Sequence, residues 1–242
     1  DAVRRGDSWA ATILGTSWAI PAWLLRDDIR EVRVRFEETQ RRHKPQSDYA
    51  WQDAHLMLGS QRLLRYEGDA ARGLRRACDE WPALQRSQLL RVQHARTFFH
   101  HDRGASALAV LRRPKRSTAA PGSARGAFDQ REARAIVRTD AKALRATAMP
   151  YANGCASLLE AGLALHEGKP ERGAALLRNA IAILDQHQIG LYAAAARRCL
   201  GLLLGGDEGR SLVGAGETAL RAQGTQNVEA MTEMLVPGCA AS

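Results

Sequence analysis

The second half of the chain repeats one apolar spacing. Cys155, Leu158, Leu159 and Gly162 stand at i, i+3, i+4 and i+7. Gly173, Leu176, Leu177, Ala180, Ile181 and Leu184 follow the same rule, as do Tyr192, Ala195, Ala196, Cys199, Leu200 and Leu203. A stripe at this period is one face of an α-helix. The interruptions agree: Gly168 ends one stripe and Pro170 opens the next, at a first helical position where proline has no amide partner to lose. Met149-Pro150 separates a helix over Asp129–Thr147 from its successor, and Gly205-Gly206 turns the chain before a helix capped by Asp207 and reaching Ala222. A short helix over Val228–Leu235 precedes Pro237-Gly238.

The hairpin at Leu158–Ile181 has an echo one hundred residues earlier, where Leu58, Glu67, Gly68, Arg72 and Gly73 match Leu158, Glu167, Gly168, Arg172 and Gly173. A hairpin recurring at about three periods of roughly 33–45 residues points to a helical-repeat array. Neither β-branched alternation nor two-residue hairpin turns occur, so no sheet is expected. The fold class predicted is all-α, a tetratricopeptide-like superhelix of antiparallel helix hairpins, about ten helices in all. Gly162, Ala164 and Gly173 or Ala174 are placed to let paired helices approach closely, and the large–small–large signature of such hairpins is incomplete in every unit.

The first half is less regular. Ser8 to Leu25 is an uncharged run of 18 residues, long enough for a minimal membrane span. It holds Ser8, Thr12, Gly15, Thr16, Ser17 and Pro21 and three Trp, which favours a buried first helix with its Trp packed on a neighbour and a kink or end at Pro21. There is no basic segment followed by a small-residue cleavage site. Asp1 where an initiator Met would stand reads as a fragment of a longer chain or a processed terminus. Asp27 to Arg42 is the next helix, with Ile29, Val32, Val34 and Phe36 apolar. Ser47 or Asp48 is placed to cap a helix to Tyr66 that carries Trp51, His55, Leu58 and Leu63 or Leu64 on one side. Asp69 caps Ala70–Trp81, Pro82 breaks the chain, and a helix starts near Ser87 and runs toward Phe99, where the run FFHHDRGAS interrupts it. The stretch RRPKRSTAAPGSARG, Arg112–Gly126, has no large apolar residue and reads as an exposed basic linker. It divides the chain into a helical segment 1–111, a linker 112–126 and a helical segment 127–242.

Composition adds constraints. The 242 residues are 45% hydrophobic and 25% charged, ordinary for a globular chain with a sizeable core. Net charge is +9, and with only Lys44, Lys115, Lys142 and Lys169 as lysines, 31 of the 35 basic residues are Arg. Arg and Ala both favour helix, and no basic cluster is interleaved with aromatics as a single-strand nucleic-acid surface would be. Arg103 to Arg125, with six basic residues and no acidic one, is the stretch where a nucleic-acid patch would fall. Cys78, Cys155, Cys199 and Cys239 stand far apart and form no CxxC pair, which fits a reducing cytoplasm.

The search for chemistry returns no catalytic, cofactor-binding or metal residue. His94, His100, His101 and Asp102 do not have the i, i+4 spacing that brings two imidazoles to one metal. Asp27-Asp28, Asp79-Glu80 and Asp207-Glu208 are neighbours that diverge by about 100° on a helix, and they sit near helix ends where solvated or capping roles are expected. His166 and His187 lie beside helix turns. Phosphate-loop, nucleophile-elbow, dinucleotide and kinase motifs are missing, and Gly205-Gly206-Asp207-Glu208-Gly209 has no strand before it.

The run LYAAAARRCLGLLLGGDEGRSLV from Leu191, the later AQGTQN and the closing MTEMLVPG resemble the C-terminal end of large bacterial serine/threonine protein kinases. GDSWAATIL through LLRDDI and RRACDEWPALQRSQLLRVQ also resemble that tail. Those chains carry a kinase domain, an AAA-type ATPase module and a tetratricopeptide-like helical tail. The resemblance covers most of the chain outside Arg112–Gly126, and it implies position: a regulatory tail downstream of the catalytic parts, with none of their motifs present. The expected function is a noncatalytic helical-repeat protein-interaction or regulatory module, cytoplasmic, outside the membrane, and partnered by another protein or by attached kinase and ATPase domains. The alternative is a basic helical array that binds nucleic acid in a transcription regulator. An open groove between stacked hairpins is expected to favour acidic partners, because Arg pairs bidentately with carboxylates.

Overall fold

The structure is a computed structural model that describes residues 4–17, 19–44, 48–112 and 128–238. The helices are α1 (Ser8–Leu14), α2 (Ala19–Leu24), α3 (Ile29–Arg42), α4 (Trp51–Tyr66), α5 (Ala70–Arg86), α6 (Gln93–Arg112), α7 (Gln130–Arg145), α8 (Pro150–His166), α9 (Pro170–Gln186), α10 (Gly190–Leu204), α11 (Gly206–Ala222) and α12 (Val228–Leu235), with a 3₁₀ turn at Leu89–Arg91. The described residues contain no strand. The fold is all-α. α4 pairs with α5, α6 with α7, α8 with α9 and α10 with α11, and each hairpin packs on the next.

The echoing hairpins turn in the same way. Gly68 and Gly168 have φ of +77° and +72°, and the amide after each reaches back across the turn, Asp69 N to Leu64 O at 2.7 Å and Lys169 N to Ala164 O at 2.9 Å. This is the left-handed helix ending that glycine adopts without a Cβ penalty. Gln188 makes the same ending between α9 and α10, at φ +57°.

Several expectations change in the first half. Ser8 to Leu25 is two short helices broken at Gly15–Ser17, not one helix broken at Pro21. Pro21 is the third residue of α2, where an amide has no helical acceptor in any case. Trp9 is 55% exposed instead of buried, and Trp23 is half-buried beneath the Arg35 guanidinium. Val32 and Phe36, four apart, are buried, whereas Val34 lies on the opposite face and is exposed. The cap of α4 falls at Ala50, whose amide donates to the Asp53 carboxylate at 2.8 Å, so Asp48 does not cap it, and Ser47 lies outside the described residues. Asp69 occupies the cap position of α5 without a side-chain hydrogen bond, and Asp207 falls inside the first turn of α11 instead of at its cap. Pro82 does not end α5. It sits on the exposed side, while Leu74, Ala77, Trp81 and Leu84 carry the buried face on to Arg86.

The largest correction is at FFHHDRGAS. Phe98 to Ser106 lies within the unbroken 20-residue helix α6, and residues 99–108 are buried without interruption. Arg112 closes that helix and pairs with Glu233 at 3.0 Å, so it does not open a linker. The remainder of the proposed linker lies outside the described residues. Leu108 and Leu111 of α6 share a core with Val137 and Leu144 of α7 and Leu159 of α8.

The open groove expected along the array is filled where α12 lies. α12 packs against α4, α6 and α10, with Val228, Met231, Met234 and Leu235 all buried. Its backbone is held as well: Arg65 Nε donates to Met234 O at 3.1 Å, and the Gln226 amide donates to Leu25 O at 2.8 Å.

Candidate functional site

α6 runs through the array, and its middle, residues 99–108, is buried on every side yet polar. Asp102 receives three hydrogen bonds from Arg62, from Nε at 3.1 and 3.2 Å and from Nη2 at 2.8 Å, and one from Arg65 Nη2 at 2.5 Å. Arg62 also donates to Ser17 O at 2.6 Å, and Arg65 to Asp102 O and Ser106 Oγ, both at 2.9 Å. About 100° further around the helix, Arg103 donates from Nε to Asp140 Oδ2 at 2.9 Å and from Nη2 to Oδ1 at 2.6 Å, and His100 Nδ1 bonds the same carboxylate at 2.6 Å. The Arg103 guanidinium lies 3.3 Å from the centre of the Trp81 ring. A buried charge is tolerated only when paired and hydrogen-bonded, and here two carboxylates hold three guanidiniums.

Burial first, and then the charges of this lattice, set the protonation of its neighbours. Burial alone would raise the Asp102 carboxyl, but Arg62 and Arg65 outweigh it and hold Asp102 well below the usual carboxylate range. Burial pushes His101 down to about 4; Asp102 opposes the shift, and Arg65 and Arg62 add to it. Burial and then Arg62 push His55 down to about 4. The Cys155 thiol is driven up to about 12, by burial first and Asp102 second. His101 Nε2 and Gln61 Nε2 are buried with no hydrogen-bond partner among the described residues.

Beside the lattice a cleft opens to solvent. Trp9 and Ile13 of α1 form one wall, and Trp51, His55 and Leu58 of α4 form the floor. The third wall is Val92 with His94, Ala95, Phe98 and Phe99 of α6. The sequence dictates this arrangement locally. Trp51, His55 and Leu58 fall on one face of α4, and His94, Ala95 and Phe98 on one face of α6. Asp7 caps α1 by accepting the Ala10 amide at 2.9 Å, which places Trp9 at the mouth. The cleft holds about 190 Å³ and its surface is almost wholly apolar. His55 shares a hydrogen bond with Ser17 through Nδ1 at 2.5 Å and stacks on Trp51 at 5.7 Å. His94 Nδ1 bonds Tyr151 OH at 2.6 Å. The Arg62 guanidinium stands 5.9 Å from the Phe98 ring and joins cleft to lattice.

The sequence named no site residue, and the cleft gave it little signal. Trp51, His55 and Leu58 read as an ordinary buried face, and Trp9 as a core residue. The histidines weighed as metal ligands go to separate places: His94 to Tyr151, His100 to Asp140, and His101 edge-on to Tyr192 at 5.3 Å. Among the described residues no group of three or more His, Cys, Asp or Glu could hold a metal ion. Asp27 accepts from Tyr66 and Asn227, Asp28 caps α3, and Glu80 accepts from Tyr49 and Arg76, so these carboxylates serve packing and caps. Cys155 and Cys199 are buried free thiols and Cys78 is half-buried, while Cys239 lies outside the described residues. No helix among the described residues is long and apolar enough to cross a membrane.

No family model, no curated protein and no solved structure matches this chain.

Proposed function

We propose that this chain is a noncatalytic helical-repeat module that docks a protein partner or relays a regulatory signal. The observation that carries the reading is the cleft of α1, α4 and α6: a solvent-open apolar hollow with no acidic residue among the described residues that line it. Its buried imidazole, His55, is pushed down to about 4, by burial first, and bonds a serine hydroxyl, with no carboxylate bonded to it among the described residues. A general base works best with a pKa near the operating pH, so this Ser17–His55 pair is poorly suited to proton transfer and well suited to fixing a wall. An apolar hollow on a rigid scaffold is the form of a binding site.

The resemblance to a kinase tail supports the further proposal that the module is attached to serine/threonine kinase and AAA-type ATPase domains in a cytoplasmic bacterial protein. Many arginines are engaged locally, in Arg33–Glu67, Arg138–Glu167, Arg145–Glu160 and Arg198–Glu217 pairs. This local neutralisation favours protein docking over the nucleic-acid alternative, since backbone phosphates need uncommitted cations. The test is to incubate the purified chain with ATP and magnesium, and separately to titrate it with duplex DNA near physiological salt. No turnover above a buffer control and only weak, salt-sensitive DNA binding are expected. Turnover would refute the noncatalytic reading, and tight sequence-selective binding would replace protein docking with the nucleic-acid reading. Kinase and ATPase motifs in the coding sequence upstream of Asp1 are expected from the tail assignment, and an upstream sequence without them would remove it.

A further inference from the structure

We propose that the cleft between α1, α4 and α6 is an anchor pocket for one neutral aromatic side chain of a partner polypeptide, presented on an acidic segment. The proposal rests on the reading of the chain as an interaction module and names what the module grips.

Volume decides the kind of occupant. A cavity of 150 Å³ accepts benzene, whereas sites for whole cofactors or metabolites run to roughly 300–1,000 Å³. At about 190 Å³ this cleft takes one aromatic ring and little more. One buried ring fits the anchor of a protein interface, where a single aromatic side chain in a desolvated pocket carries much of the affinity. A free small molecule would have most of its surface left outside.

Charge decides the rest. Aromatic walls also suit cations, but a cation cage needs a nearby negative charge or at least no positive one. Here no acidic residue among the described residues lines the cleft, Arg62 stands behind Phe98, and His55 resists protonation because burial and Arg62 disfavour its charge. A lysine or methylammonium group is therefore excluded and a neutral ring is favoured. The half-buried rings of Phe98 and Trp51 line the cleft for offset or edge-on contact with it. At the edge of the α6 wall the charge is positive: exposed Arg91 immediately precedes Val92, which lines the cleft. A carboxylate flanking the inserted ring would meet this guanidinium. Trp9 and Val92, 55% and 47% exposed in the free chain, supply apolar surface at the mouth for the ring to cover.

The test uses the whole chain and short fluorescent peptides, read by anisotropy. The probe carries one phenylalanine between acidic residues; its controls replace the phenylalanine with alanine, or the acids with lysines. Saturable binding of the probe is expected, at least tenfold weaker for the alanine peptide, and weaker for the lysine peptide with the gap closing as salt rises. Trp9→Ala should weaken the probe several-fold, while Leu202→Ala, at the far end of the array, should leave it unchanged. Equal binding of the phenylalanine and alanine peptides, or no saturable binding, overturns the aromatic anchor. Tighter binding of the lysine peptide overturns the acidic segment. Binding of free indole with no binding of the probe overturns the side-chain occupant in favour of a small molecule. Peptide failure without ATP turnover removes the pocket and leaves the module reading standing; peptide failure with turnover removes both.

Discussion

The α4–α6–α7 layer and the α10–α11 layer hold helices together by opposite means. In the first, long side chains span the gap: Arg62, Arg65 and Arg103 reach Asp102 and Asp140 through directional, charge-assisted bonds. In the second the side chains almost vanish. Ala193, Ala194, Ala195 and Ala196 are fully buried, and a Cβ added to Gly201 would stand 2.6 Å from Gly209 O. One added to Gly216 would stand 2.7 Å from Ala194 O. The ionic layer fixes register by chemistry and depends on each partner. The small-residue layer fixes it by contact of backbones and depends on nothing being added. The cleft lies beside the ionic layer, whose arginines set its electrostatics.

The sharpest way to break this comparison is to remove one carboxylate. Asp102→Asn leaves Arg62 and Arg65 buried against a neutral amide, and breaking such a buried pair costs about 3–5 kcal/mol. Urea unfolding should show that loss, whereas the exposed Asp207→Asn should change little. A loss below about 1 kcal/mol for Asp102→Asn would mean that the layer is held by its apolar contacts alone.

Acid attacks the same layer. His55 and His101 have folded-state values near 4, below the ordinary 6.5. Above 6.5 both are neutral in folded and unfolded chains. As pH falls from 6.5 toward 4 the unfolded chain takes up protons first, so stability falls, on the order of a few kcal/mol for the two together. Asp102 then adds its own loss at still lower pH, because its folded value is depressed and its stabilisation disappears as the carboxylate protonates. His101→Leu should flatten the slope between pH 6.5 and 4 at small cost at neutral pH, since its Nε2 has no partner to lose. An unchanged slope in thermal or urea unfolding would reject this account.

The two layers also differ in how well the sequence revealed them. Helix existence, the turns at Gly68 and Gly168, the break at Met149-Pro150 and the proline start of α9 were legible, because glycine, proline and apolar period act locally. The interior of α6 was not. His100, His101, Asp102 and Arg103 have no apolar period, and the partners of His100, Asp102 and Arg103 lie 37 to 40 residues away in Arg62, Arg65 and Asp140. A charged run reads as solvated unless its countercharges are known to fold onto it. Pro82 misled for the complementary reason: a tertiary face carried α5 past a local break. The cleft was illegible because its walls come from three helices, and a wall residue has the same spacing as a core residue.

The small-residue layer supplies an effect of intermediate size, with a sign that depends on position. At Gly201 an alanine Cβ would strike the backbone of α11, which cannot step aside as a side chain can. Gly201→Ala should cost about 1–3 kcal/mol through overpacking, even though alanine favours helix. Gly214, on the exposed side of α11, has nothing within 4 Å of the same added atom. Gly214→Ala should therefore stabilise by about 0.5–1 kcal/mol. Gains at both sites would show that α10 and α11 are less closely fitted than their backbones indicate.

The smallest effect is expected where the binding consequence is largest. Trp9 is 55% exposed, on a seven-residue helix capped by Asp7. Truncating it removes little buried area from the folded chain, so Trp9→Ala should change unfolding free energy by no more than about 0.5–1 kcal/mol. The same substitution deletes one wall of the cleft and the apolar surface at its mouth. Large exposed aromatics are costly to leave in water, and one that contributes little to the fold is explained by what covers it in a complex. Equilibrium unfolding and peptide anisotropy on one preparation should thus separate: stability nearly unchanged, affinity several-fold weaker. If Trp9→Ala lowers stability as much as Asp102→Asn does, Trp9 belongs to the core, and the cleft is a packing defect instead of a site.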